Sequence, residues 1–358
     1  MLKIALKIPG YWLFRLLGWP PRSPMNLTLS ISFRCNSRCK TCNVYHRKSQ
    51  ELSLAEWRKI FQSLKKTPFW VTISGGEPFL YKDIEALVGS LYDNCRPSII
   101  NIPTNGLLYE RIPTIVKRIA GHCIKSQIVI NLSIDEIEEK HDTIRGVPGS
   151  YSQALKTYAA LKAIDAQNLT VGLHSVISRY NVQRIPEIYE HLRALKPDSY
   201  VTEIAEERAE LGTIGAEITP EYNLYADAVD SLMKRMRNDH FSRIGRITRA
   251  FRLQYYQLVK TILKEKRQVI PCYAGIASAQ IAPSGDVWMC CVKAESIGNL
   301  KKANYDFTKV WTSKEARASR QRIKKKECHC PLANAGYTNM LFDLKTVVRA
   351  GYNFMKNS

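Results

Sequence analysis

Apolar positions recur along this chain with two alternating periods. Short runs rich in β-branched and apolar residues fall at 27–33, 69–74, 98–103, 127–133, 170–177 and 199–204, and read as strands. Between them, at 53–66, 82–94, 110–120, 151–165 and 184–195, apolar residues fall three and four apart, as on amphipathic helices. Ser53 followed by Glu56 forms a capping box that starts the first of these. Strands alternating with helices predict parallel βαβ units with right-handed crossovers, hence an α/β fold. The sheet is expected to be open or a partial barrel, with its site at the C-terminal ends of the strands.

The pattern changes after about residue 210. Residues 219–267 read as mostly helical. Segments 278–282 and 286–290 flank Pro283-Ser284-Gly285, a hairpin signal. A helix over 313–325 leads into Cys328, and 337–356 reads as an amphipathic helix. The opening segment MLKIALKIPGYWLFRLLGWP is interrupted by Lys7, Pro9 and Arg15, and no small-residue cleavage site follows. It is read as a basic, aromatic interfacial segment, not a signal peptide. No run of eighteen apolar residues exists to cross a membrane. The expected divisions are 1–26, 27–213, 214–268, 269–332 and 333–358.

Charge narrows the partners. The 358 residues carry a net charge of +21, which asks for nucleic acid, anionic lipid or an acidic substrate. The first fifty residues hold nine Lys/Arg and no acid, and 234–267 hold eleven against Asp239 and Glu265. No RNA-binding motif is present, so nucleic acid ranks last.

Ten cysteines gather mainly near the two ends of a chain too large to need disulfide staples. Cys35, Cys39 and Cys42 form C-x3-C-x2-C directly after the first strand. Three thiolates make an incomplete shell for zinc, unless His46 completes a knuckle at unusual spacing. On a four-iron cluster they leave one iron open. Ser74-Gly75-Gly76-Glu77-Pro78 ends the second strand, where paired glycines allow close backbone approach and a carboxylate suits an ammonium. Pro103-Thr104-Asn105-Gly106 ends the third strand and Ser133-Ile134-Asp135 the fourth. Asp142 to Tyr151 reads D-x2-IRG-x3-SY.

On these motifs the chain resembles the radical SAM superfamily, over roughly 27–210. The resemblance implies a partial (βα)6 barrel, then a helical segment and a small hairpin/helix auxiliary-cluster domain. Cys35, Cys39 and Cys42 would hold a [4Fe-4S] cluster whose open iron chelates S-adenosylmethionine (SAM). Reductive cleavage of SAM would give a 5′-deoxyadenosyl radical. Gly75, Gly76, Glu77, Pro78, Thr104, Asn105, Ser133, Asp135, Arg145 and Ser175 would form the SAM site. Arg145 would reach the SAM carboxylate or cap a helix, and Ser175 is preferred to His174. Thr41 departs from the aromatic residue common before the third cysteine; Tyr45 is the candidate replacement. A reducing donor of flavodoxin or ferredoxin type is implied.

Cys272, Gly285 and Cys290 resemble the opening of an auxiliary-cluster domain of SPASM or twitch type, over roughly 270–332. Cys328-His329-Cys330 would close it at C-x-C, tighter than usual. The fourth ligand is left open among Cys330, Cys291 and His329, and zinc remains a competing occupant. Cys95 and Cys123 are expected to be buried structural thiols.

The substrate is far less legible. Arg243, Arg246, Arg249 and Arg252 recur every three residues on an expected helix and suggest a basic membrane-facing stripe. This favours a lipid or lipid-linked substrate and a cytoplasmic protein peripheral on the inner membrane face. Peptide modification and a soluble sugar or aminocyclitol dehydrogenase are the alternatives. Glu203 and Arg208, after the sixth strand, are candidate substrate residues.

Overall fold

The computed structural model describes residues 6–236 and 243–356, with side chains outside 243–248 and 352–356. The first helix, α1 (Ile8–Leu17), precedes strand β1 (Asn26–Ser32). Five further strands each follow a helix: α2 (Leu54–Leu64), β2 (Trp70–Gly75), α3 (Ile84–Cys95), β3 (Ile99–Thr104), α4 (Ile112–His122), β4 (Gln127–Ser133), α5 (Glu138–Arg145), α6 (Ser150–Lys162), β5 (Leu169–Ile177), α7 (Ile185–Ala194) and β6 (Ser199–Ile204). Every strand lies within a residue or two of its expected place. Ser53 and Glu56 form the predicted capping box reciprocally.

Helices α8 (Tyr222–Met236) and α9 (Arg243–Glu265) fill the middle of the chain. Then come β7 (Ser278–Ile281), β8 (Asp286–Trp288), β9 (Ser296–Asn299), α10 (Phe307–Trp311), α11 (Lys314–Lys324), α12 (Ala333–Phe342) and α13 (Leu344–Lys356). The sheet order is β6-β5-β4-β3-β2-β1-β7-β8-β9. The six barrel strands are parallel, and β7 extends them by pairing parallel to β1, Asn26 opposite Ser278. The auxiliary hairpin is thus continuous with the barrel sheet.

Strand alternation sorts the two faces. Leu27, Leu29, Val71, Ile73, Ile100, Ile102, Ile128 and Ile130 are wholly buried toward the helices. Each such side chain contributes about 1.5–3 kcal/mol. The other face is polar: Asn131 donates to Asn101 at 2.8 Å and Gln127 to Thr170 at 2.9 Å. Asn334 of α12 reaches this face, donating to Thr28 at 2.9 Å and accepting from Asn26 at 2.7 Å.

Two of the four arginines of the expected basic stripe are turned inward. Arg249 and Arg252 are buried, with Arg249 donating to the Met236 carbonyl at 3.3 Å. The side chains of Arg243 and Arg246 lie outside the described residues. Arginine carries a long apolar stem, so a three-residue repeat is as compatible with a helix packed inward as with a solvated face. Cys95 and Cys123 are wholly buried, as expected of structural thiols.

Candidate functional site

The first cysteine loop leaves β1 and is held by backbone from two directions. The amides of Arg38 and Lys40 donate to the carbonyls of Arg145 and Ile144, at 2.9 and 2.8 Å. Gly146 has φ +66°, and a Cβ there would lie 2.4 Å from the Arg38 carbonyl, so only glycine allows the approach. The IRG segment is therefore a clamp on the loop. Arg145 caps no helix: its Nε is 2.9 Å from Asp135 and its Nη1 3.7 Å from the Cys39 sulfur. A buried positive charge thus stands against the thiols.

Cys35, Cys39 and Cys42 lie close enough for the charge of one to disfavour that of another. Burial is the larger cause, pushing Cys35 up to about 11 and Cys42 up to about 12. Bare, these thiols are protonated; ligation would drive the protons off. His46 is exposed and its ring lies tilted against that of Tyr45, centroids 4.1 Å apart, and Tyr45 in turn lies under Arg38.

The Gly75-Gly76-Glu77 corner fits against the start of this loop. Cβ atoms on Gly75 and Gly76 would lie 2.0 and 2.1 Å from the carbonyls of Ser32 and Arg34. The amides of Gly76 and Glu77 donate to those carbonyls at 2.8 and 2.9 Å. The glycines therefore admit the close approach of the two chain segments. Pro78 opens a short turn, Pro78–Leu80. The Glu77 carboxylate is 2% exposed. It accepts from Thr104 Oγ1 at 2.8 Å, the Asn105 amide at 2.8 Å and the Phe79 amide at 3.1 Å. Burial pushes its pKa up to about 7 against these three bonds. Asn105 Nδ2 carries the chain onward, donating to Asn36 at 2.7 Å and Ser37 at 2.9 Å. Glu77 thus pins β2, β3 and the cysteine loop together.

On β5 the strand period puts Ser175 and His174 on opposite faces. Ser175 is wholly buried, donating to the Ile134 carbonyl and accepting from Tyr200 at 3.1 Å. It belongs to the helix-facing set with Leu173 and Ile177. His174 faces the polar side beside Ser133, with Nε2 3.8 Å from Glu203. The apolar positions Val171, Leu173 and Ile177 carried this phase in the sequence. Asp135, besides its ion pair, accepts from the Val176 amide at 2.8 Å.

The second group forms where the β7–β8 hairpin meets the segment after α11. Cys272, Cys290, Cys328 and Cys330 influence one another's charge, and burial pushes Cys272 up to about 12. Cys291 turns the other way: its sulfur is 3.9 Å from Arg208, with Glu210 beside it. His329 is exposed. Cys330→Ala is expected to cost the second site its iron, about four per chain, and Cys291→Ala none; iron counting on reconstituted protein checks this.

One element joins the two groups. After β6 the loop 205–213 receives Asn43 from the first cysteine loop, N to the Leu211 carbonyl at 2.9 Å, and Arg47, Nη1 to the Glu210 carbonyl at 2.6 Å. It also donates to the second, from the Ala209 amide to Val292 at 2.9 Å and the Glu210 amide to Cys291 at 3.3 Å. Arg208 sits between Glu206 at 2.7 Å and Glu210 at 3.7 Å. Ser30 donates to Glu210 at 3.1 Å. Burial pushes Glu206 up to about 7, Arg208 opposing it. Glu206 stands beside Glu203 and Arg208 at the mouth expected from sequence, whereas Glu210 was not singled out; the signal was an alternating Glu-x-Arg-x-Glu pattern at a strand end.

The donor chemistry fits iron–sulfur clusters: thiols in a set of three and a set of four.

Comparison with known proteins agrees. The radical SAM superfamily model matches residues 29–192, and the SPASM iron–sulfur cluster-binding domain matches 272–331. The chain is 23% identical over 333 residues to the antilisterial bacteriocin subtilosin biosynthesis protein AlbA of Bacillus subtilis, covering 87% of this chain and 66% of that protein. It is 28% identical over 177 residues to the PqqA peptide cyclase of Granulibacter bethesdensis, covering 48% and 45%. The chain thus spans less than two thirds of each of these relatives. Native anSMEcpe, solved with bound AdoMet and the Cp18Cys peptide, shares the fold with a TM-score of 0.62 at 15% identity, covering 94% of this chain and 96% of that one. The cofactors of such a chain are a [4Fe-4S] cluster, SAM and auxiliary iron–sulfur chemistry. With one cysteine group inside each matched segment, this chain carries a radical SAM domain followed by a C-terminal SPASM iron–sulfur cluster-binding domain.

Proposed function

We propose that this enzyme modifies a peptide by SAM-derived radical chemistry. One observation carries the reading: the likeness to a bacteriocin biosynthesis protein runs over 87% of the chain. The likeness to a PqqA peptide cyclase over 48% of the chain supports it. The lipid-substrate expectation rested on the terminal segments and on the arginine stripe, and the two described members of that stripe are buried.

In this reading Cys35, Cys39 and Cys42 hold the first cluster, and Cys272, Cys290, Cys328 and Cys330 the second. When bound, the first cluster and SAM supply a 5′-deoxyadenosyl radical that abstracts hydrogen from the substrate. The chain's own residues aim it. Glu77, Thr104 and Asn105 fix the loop's position, with Gly75, Gly76 and Pro78 shaping the corner. Arg145, ion-paired to Asp135, sets positive charge beside the thiols. Ser133, His174 and Glu203 line the polar face and would meet the SAM and substrate. Ser175 supports them from behind. Arg208, held by Glu206 and Glu210, lies between the groups and would orient the substrate or balance charge there. A donor of flavodoxin or ferredoxin type would feed the clusters. All ten cysteines are free, which suits a reducing cytoplasm. No helix among the described residues is long and apolar enough to cross a membrane.

The test is substrate-dependent turnover. Anaerobically reconstituted protein, SAM and dithionite are mixed with the small-peptide fraction or the lipid extract of the source cells. Faster 5′-deoxyadenosine release and a peptide mass change with the peptide fraction alone are expected. Stimulation by lipid alone overturns the reading.

A further inference from the structure

We propose that α1 and α13 form a docking face for an anionic lipid surface. This goes beyond the substrate reading and stands whatever the substrate is. α1 buries Tyr11 and Phe14 against the body of the protein. Its other face is turned to solvent and is apolar: Leu13, Leu16 and Leu17, with Leu6 before it and Trp19 after its Gly18 cap. Leu6, Leu16 and Trp19 are 74%, 75% and 72% exposed. A surface helix ordinarily gives water its polar side. Here large apolar residues occupy that side, which marks an interaction surface.

The last helix adjoins it. Trp12 Nε1 donates to the Phe342 carbonyl at 3.0 Å, and Tyr11 meets the Phe342 ring edge-on at 5.4 Å. α13 begins two residues later, with Leu344 and Val348 one turn apart, 62% and 70% exposed. Basic residues edge both helices. Lys7, Lys345 and Arg349 are exposed, and Lys324 Nζ donates to the Leu16 carbonyl at 3.3 Å. Residues 1–50 contain no acid. Apolar side chains to enter the acyl boundary, and cations to meet anionic headgroups, specify an interfacial contact. The membrane-facing charge lies on the terminal helices and not on the buried arginines of α9.

Flotation of the full-length protein tests this, using phosphatidylcholine vesicles and vesicles of phosphatidylcholine with phosphatidylglycerol. The protein is expected to float with the mixed vesicles and more weakly with phosphatidylcholine alone. Leu13→Gln, Leu16→Gln and Leu17→Gln together should lower the bound fraction at least about tenfold. Lys345→Gln with Arg349→Gln should weaken binding to the mixed vesicles only. Unchanged iron content and circular dichroism identify folded variants. No flotation of the wild type, or equal flotation of the triple variant, overturns the proposal. So does a dimer in light scattering that the triple variant abolishes, which would assign the face to a second copy.

Discussion

Replacing Cys35, Cys39 and Cys42 together by Ala is expected to abolish 5′-deoxyadenosine formation and leave the second cluster in place. The two cysteine groups lie on separate segments, one after β1 and one around the β7–β8 hairpin. Loss of the first removes no thiol from the second. Iron should fall from about eight to about four per chain, and the remaining cluster should keep its spectrum. The fold should persist, because the loop is held by backbone bonds to Arg145, Ile144 and Leu211 that do not use sulfur. Nucleoside production by the triple variant would refute the assignment of the radical-generating site. Loss of all iron would mean that the two sites assemble together.

Glu77→Ala is expected to be the most damaging change that touches no cysteine. It removes the acceptor of three buried donors: the Thr104 hydroxyl and the amides of Asn105 and Phe79. Each unsatisfied donor costs about 1–3 kcal/mol, so the variant should lose on the order of 3–5 kcal/mol. Glu77→Gln keeps one oxygen and should lose roughly 1–3 kcal/mol. The effect reaches the chemistry through Asn105, whose amide group ties Asn36 and Ser37. First-cluster iron should therefore be lost faster on gel filtration than second-cluster iron. Anaerobic urea unfolding of the reduced apoprotein measures the stability, and an alanine variant within about 1 kcal/mol of the wild type would remove Glu77 as the pin.

The loop 205–213 gives the fold its functional logic. β6 is the last barrel strand, and the chain leaving it is bonded to the first cysteine loop through Asn43 and Arg47 and to the second through Ala209 and Glu210. The buried Glu206–Arg208–Glu210 array lies along this connection. Extension of the barrel sheet by β7, pairing with β1, fixes the hairpin against the same region. The two cysteine groups are thus tied together by backbone, with one arginine between them.

The sequence by itself determined the elements and the reaction class. A buried parallel strand must repeat its apolar residues every second position, and a helix covering it every third and fourth, so each element announces itself within a dozen residues. The C-x3-C-x2-C loop and the Gly-Gly-Glu-Pro corner are equally local. What lies far apart along the chain was decided only by tertiary structure. The pairing of residues 26–29 with 278–281 leaves no local trace, since an edge strand looks the same whichever partner completes its hydrogen bonds. The surroundings of Cys291, against Arg208, and of Cys330, near Cys272 and Cys290, are likewise tertiary, as is the placing of Ser175 and His174 on opposite faces of β5. The arginines of α9 were decided last: spacing alone fits a wet face or a packed one, and only the partners that the fold brings to Arg249 and Arg252 put them inside.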